Sequence, residues 1–554
     1  MEQKDIETGS VDQGKEGNLS RDIIPDIHDE VRDANADSSH GYVAGWQLAI
    51  IMVSTTFVSL LVLLDSTIIG NAIPRITDEF HSLTDAGWYG TVYQLANACL
   101  QPLTGKLYTY YSTKRVFLLS FAVFEIGSLV CGLAPSSTAL IMGRMVAGLG
   151  ASGIQNGIFN IIAGCVPMVK RPMLTGIGMG VSQMGMILGP LIGGAFTEYK
   201  TWRWCFFINL PCGAAAAGML MLVRIPEQFT KAEGQSITPV LLLKKDFARL
   251  LLFAAAVTQF FLALQYGGNT HPWNSAVVIG LVCGAVGTFA VFVLAEHLNG
   301  REAIVPLCII KKHVVWSSCL VMMFSIATTF CASYFLPLYF QIVAGASPMI
   351  SGVYLLPNIL SQICSAGFSG ILVGKSGYYL PWSVLAGVFL SVGSGLISTY
   401  SPSTSIGEWI GYQVLLGAGR GIGMQMPIIA IQNALEHSQI AIATSFLIFS
   451  HTIGGAAFLT LAQTLFTNGL RSELAVYAPS VDLRTIVATG VVSIRNEMID
   501  KNQLQGFLLA FTKSLNLVFY LTAGAGACSF VFAWGMGWKD IRIKNKQVQN
   551  STAT

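Results

Sequence analysis

The chain has 554 residues, 53% of them hydrophobic and only 11% charged, with a mean hydropathy of +0.59. A water-soluble domain carries about 25% charged residues, so this composition excludes one and points to an all-α polytopic membrane protein. The net charge of +3 hides an asymmetry: residues 1–40 hold eleven acidic against four basic side chains, and that head of −7 leaves +10 on the rest.

The head lacks apolar periodicity, so 1–45 is expected to be a disordered, acidic, cytosolic tail. It is too long and too acidic for a signal peptide, and the first apolar run starts near Trp46. A bilayer-crossing helix needs about 20 largely apolar residues. Fourteen segments qualify: 46–69, 86–106, 116–134, 139–165, 174–197, 204–223, 248–267, 276–295, 314–338, 350–374, 380–399, 408–433, 443–467 and 514–537. Lys and Arg mark alternate connections: Lys114 and Arg115, Lys170 and Arg171, Lys244 and Lys245, Lys311 and Lys312, Lys375, and the tail from Lys539. The intervening loops are nearly bare, Arg75, Lys200 and Arg203 excepted. By the positive-inside rule both termini are cytosolic. Eleven cysteines are scattered without a CxxC pair and read as packing residues, so no disulfide or metal framework is expected.

The stretch after segment 2 resembles that after segment 10, and AGLGASG in segment 4 resembles LGAGRGIG in segment 12. Both pairs lie about 265–269 residues apart, an offset of eight segments, as a six-span unit used twice with two spans inserted would give. The expected domains are a six-helix bundle over 46–223, a cytosolic linker with two inserted spans over 224–313, and a second six-helix bundle over 314–538. A long non-cytosolic loop is expected about 468–513, and 539–554 is a cytosolic tail.

Ionisable groups at membrane depth are expensive, so each is a functional candidate. Asp65 lies late in segment 1 and Arg144 early in segment 4, which runs the opposite way, so their depths match in the outer half. Paired, the carboxylate stays charged; unpaired and desolvated, it can take a proton. A permanent staple between the two helices is the other reading. Glu125, in VFEIGSLV, reads equally as a second protonation site or as a neutral hydrogen-bonded group. Arg420, in LLGAGRGIG, is placed to attract an anionic substrate or to favour the charged form of nearby carboxylates. His451, in FLIFSHTIGG, is a candidate titrating group, although a lone membrane histidine is more often a satisfied hydrogen-bonding residue.

The run 180–194, GVSQMGMILGPLIGG, places Gly180, Gly185, Gly189, Pro190, Gly193 and Gly194 in one uncharged segment. Small residues four apart let a neighbouring helix approach closely, and Pro190 favours a kink. The run resembles the antiporter signature in the fifth span of exporters of the major facilitator superfamily. LLDSTIIGNAIP (63–74), GRMVAGLGASG (143–153) and TWRWCFFINLPCG (201–213) are likewise similar to motifs of its fourteen-span drug:proton antiporter group. The chain resembles fungal efflux pumps for toxins and other secondary metabolites in particular, from about residue 46 to 538. One motif departs: GKLYTYYSTKR has Thr109 where the family's loop between spans 2 and 3 carries an aspartate, and Ser112 for a glycine, while Lys114 and Arg115 remain. The usual cytoplasmic charge latch must be weakened or use another partner.

The resemblance implies a major facilitator fold of two six-helix bundles plus two central spans. It also implies proton-coupled efflux of a small, hydrophobic organic compound by alternating access. Its expected partners are the lipid bilayer, the substrate and protons, with no nucleic acid, and the protein is read as a monomer of the plasma membrane, a vacuolar or vesicular membrane being the alternative. An apolar cavity with sparse amides is expected from Gln94, Asn97, Gln155, Asn156 and Gln183 in the first half and Gln341, Asn358, Gln362 and Gln425 in the second. No GxxxxGK[ST], HExxH or GxSxG occurs, so neither an ATP-driven pump nor an enzyme is expected, and no cofactor. An importer of the same fold, for siderophore-iron or amino acids, and a non-transporting sensor are the alternatives.

Overall fold

Within a bilayer an apolar run satisfies its backbone only as a helix, and the chain forms one in every predicted segment. The computed structural model describes residues 42–82, 85–227, 239–268, 271–299, 303–304, 306–479 and 501–543. The first half comprises α1 (Gly45–Phe80), α2 (Ala86–Tyr110), α3 (Thr113–Leu133), α4 (Ser137–Cys165), α5 (Arg171–Ser182), α6 (Met184–Tyr199), α7 (Trp204–Phe207) and α8 (Asn209–Leu222). Then come α9 (Pro239–Tyr266), α10 (Ala276–Asn299) and α11 (Leu307–Ile310). The second half comprises α12 (His313–Ile342), α13 (Pro348–Val353), α14 (Leu356–Ser376), α15 (Leu380–Ile397), α16 (Ile406–Gly423), α17 (Met426–Ala434), α18 (His437–Tyr477) and α19 (Lys501–Ala533).

Among the described residues, thirteen helices are long and apolar enough to cross a membrane. The fourteenth segment, α2, has 25 residues, enough length at about 1.5 Å per residue, but Gln94, Asn97, Gln101 and Lys106 lower its hydropathy. Its polar groups face other helices: Asn97, Gln101 and Lys106 are all buried.

Span 5 is divided into α5 and α6 at Gln183, which keeps right-handed helical angles (φ −63°, ψ −20°), and Pro190 lies inside α6. One expectation changes. The stretch 468–513 is helical at both ends, because α18 runs to Tyr477 and α19 starts at Lys501. Buried Leu470, Leu474 and Phe507 explain this: the polar sequence there is amphipathic and covers the core of the second half. The acidic head and residues 480–500 lie outside the described residues.

In the first half α1 packs on α6 and α8, and α4 on both α2 and α3. In the second, α14 and α15 flank α16, and α12, α18 and α19 pack together. The halves meet along two seams, α5 with α14 and α2 with α18. Both are glycine-lined near the Lys/Arg-bearing loops. A Cβ on Gly370 would lie 2.5 Å from Met173 Cα, one on Gly374 2.7 Å from Val169 O, and one on Gly105 3.1 Å from Ala441 O. At the opposite end the contact between Gly352 and Leu191 is an ordinary 3.5 Å. The halves are therefore pressed together at one end and looser at the other.

The glycines of 180–194 mostly serve a different contact. Cβ atoms on Gly185 and Gly193 would each lie 2.5 Å from α1 carbonyls, Leu60 O and Ile68 O, and one on Gly189 would lie 3.0 Å from Ile68 N. Gly180 faces Ile363 across the seam at 3.2 Å, and Gly194 is half-buried. Past its span α1 continues to Phe80, where Glu79 accepts from Trp202 Nε1 (2.7 Å) and Arg203 Nη1 (2.9 Å). The Trp202 bond first, then Arg203, holds the Glu79 carboxyl below its ordinary range, so this clamp loosens only as pH falls into the acidic range.

Of the inserted pair, α9 packs against α2 and reaches α18, so it lies along one seam, and α10 packs on α9. The pair's charged anchor is buried: Lys106 Nζ meets Asp246 Oδ2 at 2.6 Å, Arg249 also pairs with Asp246, and Arg249 Nη1 lies 3.8 Å from Glu296 Oε1. Thr109 bonds back to Gly105 O (3.0 Å), and Lys114 Nζ donates to Met221 O (3.0 Å) and Val223 O (2.7 Å) at the end of α8. The charge contact of this loop thus runs through Lys106 to the inserted helices instead of through position 109.

Gly189→Leu should destabilise the protein by about 1–3 kcal/mol, the usual cost of overpacking. Gly218→Leu, whose Cβ meets nothing within 4 Å, should be neutral in the same thermal unfolding series. Equal midpoints for the two variants would contradict the close α1–α6 contact. Asp246→Asn should cost about 3–5 kcal/mol, because it removes the carboxylate shared by two buried cations, and Lys106→Met in the same chain should recover part of that loss. An unchanged unfolding midpoint in Asp246→Asn would contradict the buried anchor.

Candidate transport site

Asp65 and Arg144 meet where α1 crosses α4. Arg144 Nη1 lies 2.6 Å from Asp65 Oδ2, and both side chains are 0% exposed. The second carboxylate oxygen, Oδ1, accepts from Asn209 Nδ2 (3.0 Å) at the start of α8, which also reaches Ser128 Oγ (3.1 Å) on α3. Arg144 Nε donates to Tyr89 O (3.0 Å), and its guanidinium lies 4.3 Å from the centre of the Tyr93 ring. A buried charge persists only when paired and hydrogen-bonded, and five helices contribute here: α1, α2, α3, α4 and α8. Arg144 Nη2 and both Glu125 carboxylate oxygens are buried without a hydrogen-bond partner among the described residues. Glu125 is half-buried against Gly213, where a Cβ would lie 2.6 Å from its carboxyl carbon.

Two cavities lie between the halves. The larger, about 720 Å³, is lined by Thr55, Thr56, Ser59 and Val62 of α1, Gln155 and Phe159 of α4, Thr175, Met179 and Ser182 of α5, Met322, Met424 and His451, among others. The smaller, about 310 Å³, is lined by Ala332, Leu336, Leu355, Asn358, Ile359, Gln362 and Arg420. Gln183, at the break between α5 and α6, lines both. Val62 and Leu63 carry the wall of the larger cavity to within a turn of Asp65, and Tyr93 Oη donates to Val62 O at 3.5 Å.

Of the predicted amides, Gln155, Gln183, Asn358 and Gln362 line a cavity. The others line neither. Asn97 accepts from Gln101 (3.0 Å), Asn156 donates to Thr104 (3.4 Å), Gln341 to Ser351 (3.1 Å), and Gln425 to Ala366 O (3.1 Å), while Gln94 sits half-buried on α2. Asn97 also donates to Gln155 (3.4 Å), so Asn97, Asn156, Gln341 and Gln425 each join neighbouring segments. The sequence reading overlooked the hydroxyl face of α1; Thr55, Ser59 and Val62 stand at the i, i+4, i+7 spacing that marks one helical stripe. Arg420 is 7% exposed, donates from Nε to Thr329 Oγ1 (3.1 Å) and from Nη1 to Asn358 Oδ1 (3.0 Å), and pairs with no carboxylate among the described residues. His451 faces the larger cavity, its ring edge-on to Phe330 at 6.3 Å.

The sequence matches the Major Facilitator Superfamily over residues 55–459. It is 54% identical over 501 residues to the MFS-type transporter pigP of Monascus ruber, covering 90% of this chain and 88% of that protein. It is 46% identical over 517 residues to the efflux pump mlcE of Penicillium citrinum, covering 92% and 93%. The proton:xylose symporter XylE, bound to 6-bromo-6-deoxy-D-glucose, superposes with a TM-score of 0.56 at 13% identity, over 90% of this chain and 98% of that one; at that identity the likeness shows the fold alone. Fourteen helical segments in two halves, a cavity between them and a match over most of the sequence agree: the chain belongs to the Major Facilitator Superfamily, as a multi-pass membrane transporter and not an enzyme.

Proposed function

We propose that the protein is a proton-coupled exporter of a small, largely apolar organic compound of the secondary-metabolite kind, working by alternating access. The observation that carries this reading is the cavity between the halves, apolar with a few hydroxyls and amides, whose wall runs to within a turn of the buried Asp65–Arg144 pair. A relative named an efflux pump supports the outward direction, as does the glycine run of α6 against α1. With both termini cytosolic, the glycine-lined seams close the cytosolic side and the protein, a monomer of the plasma membrane in this reading, faces outward. Rocking the halves would open those seams and expose the cavity to the cytosol.

In this mechanism Asp65 carries the proton and Arg144 is its switchable partner. Movement of α1 against α4 separates them, and the carboxylate, left in a dry site, takes a proton in place of its cation. Glu125 is a second candidate carrier, with free carboxylate oxygens beside the same node. One observation favours a structural role for the pair instead: both Asp65 oxygens are satisfied and both side chains are fully buried, as a permanent staple would require.

Proteoliposomes separate the two. An imposed pH gradient should accelerate transport of an apolar test compound by the wild type. Asp65→Asn should abolish that acceleration while leaving binding measurable, Arg144→Ala should impair it, and the double variant should be no worse than the worse single one. A staple predicts that the single variants lose folded protein while the folded fraction still responds to the gradient. That response in folded Asp65→Asn would reject the coupling role.

A further inference from the structure

We propose that Arg420 binds the ionised acid group of the transported compound, so that the substrate class is an apolar organic anion, a carboxylate above all. The proposal rests on the export reading and narrows it.

The geometry of Arg420 differs from that of the other buried guanidinium groups. Arg144 has Asp65 at 2.6 Å, and Arg249 has Asp246. Arg171 is spent on carbonyls at the end of α4, Ala163 O at 2.6 Å and Val166 O at 2.7 Å. Arg420 is as deeply placed but has only two neutral acceptors, Thr329 and Asn358, and both lie on neighbouring helices of its own half. These bonds use Nε and Nη1 and fix the plane of the guanidinium. Nη2 makes no hydrogen bond among the described residues, and the side chain lines the 310 Å³ cavity. A buried cation without a counter-charge is costly, and its position in the wall of a cavity means that a ligand can supply the charge. A planar guanidinium matches the flat, two-oxygen edge of a carboxylate bidentately, as it does a phosphate, and the carboxylate is the smaller of the two.

The rest of the cavity describes the rest of the ligand. Apart from Ser333, its other walls are aliphatic, from Ala332, Leu336, Leu355 and Ile359, and suit an apolar body. Gln183, from the opposite half, and Gln362 each hold a buried Oε1 without a partner, so each can accept from a hydroxyl on the ligand. Gln183 also lines the larger cavity, so it stands where the two cavities adjoin. An anion held between Arg420 and Gln183 would touch both halves at once. It could then favour the state in which the two approach each other.

Two probes that differ only in charge test this: 2-naphthylacetate and its neutral amide, 2-naphthylacetamide. Their affinities for the purified full-length protein are measured by calorimetry at neutral pH. The wild type should bind the acetate at least about tenfold more tightly, which is the scale of one charge-assisted hydrogen bond. Arg420→Gln should bind both probes alike, and Arg420→Lys should keep part of the preference. Equal affinities in the wild type, or a preference retained in Arg420→Gln, would overturn the proposal. The wild-type comparison needs no variant, so it decides even if Arg420→Gln does not fold. Cells that export the amide while the protein shows no preference for the acetate would leave the export reading standing and remove the anion site. Failure to bind or export either compound would remove both.

Discussion

An ion pair sealed from water, Asp65 with Arg144, sets the terms for the first half of the molecule. Two charges at 0% exposure are tolerable only if every neighbour helps. Asn209 satisfies the second carboxylate oxygen, the Tyr89 carbonyl takes Nε, and Tyr93 lays its ring under the guanidinium. These groups come from α8 and α2, so the two ions fix the positions of four helices. They also make the site sensitive: a small shift of α1 against α4 changes the balance between a satisfied pair and two stranded charges. That sensitivity suits a coupling device, because the cavity wall is built from the same turns of α1.

The glycines let the helices come close enough for this arrangement. On α6 they bring the backbone onto α1, and on α4 they bring it onto α2 and α3, where a Cβ on Gly150 would lie 2.6 Å from Ser120 O and one on Gly148 would lie 3.0 Å from Ala96 Cβ. The second half repeats the device on α16, where a Cβ on Gly419 would lie 2.8 Å from Leu390 N. The same small-residue logic serves two kinds of contact. Within each half it packs the helices closely; along the seams it makes smooth contact surfaces between the halves. The inserted helix α9 lies beside one seam, tethered to α2 by Lys106 and Asp246.

The fold was largely legible because apolar length and loop charge are local signals. All fourteen segments hold helices, and the Asp65–Arg144 contact followed from matching depths on antiparallel spans. The site was less legible. An amide in an apolar helix shows that a polar partner exists but not which side it lies on. Asn156 and Gln425 found partners in packing, whereas Gln183 and Asn358 face a cavity. The Lys106–Asp246 anchor was not read, because the residues are 140 positions apart and the sequence offers no depth cue for a helix that begins before its apolar run.

If Asp65 carries the proton, its carboxylate changes protonation as the halves move. Infrared difference spectra of the purified full-length protein between acidic and alkaline pH report protonated carboxyl groups directly. A titrating carboxyl band is expected in the wild type and not in Asp65→Asn with Glu125 intact. A band that persists unchanged in Asp65→Asn, or is lost only in Glu125→Gln, would contradict proton carriage by Asp65.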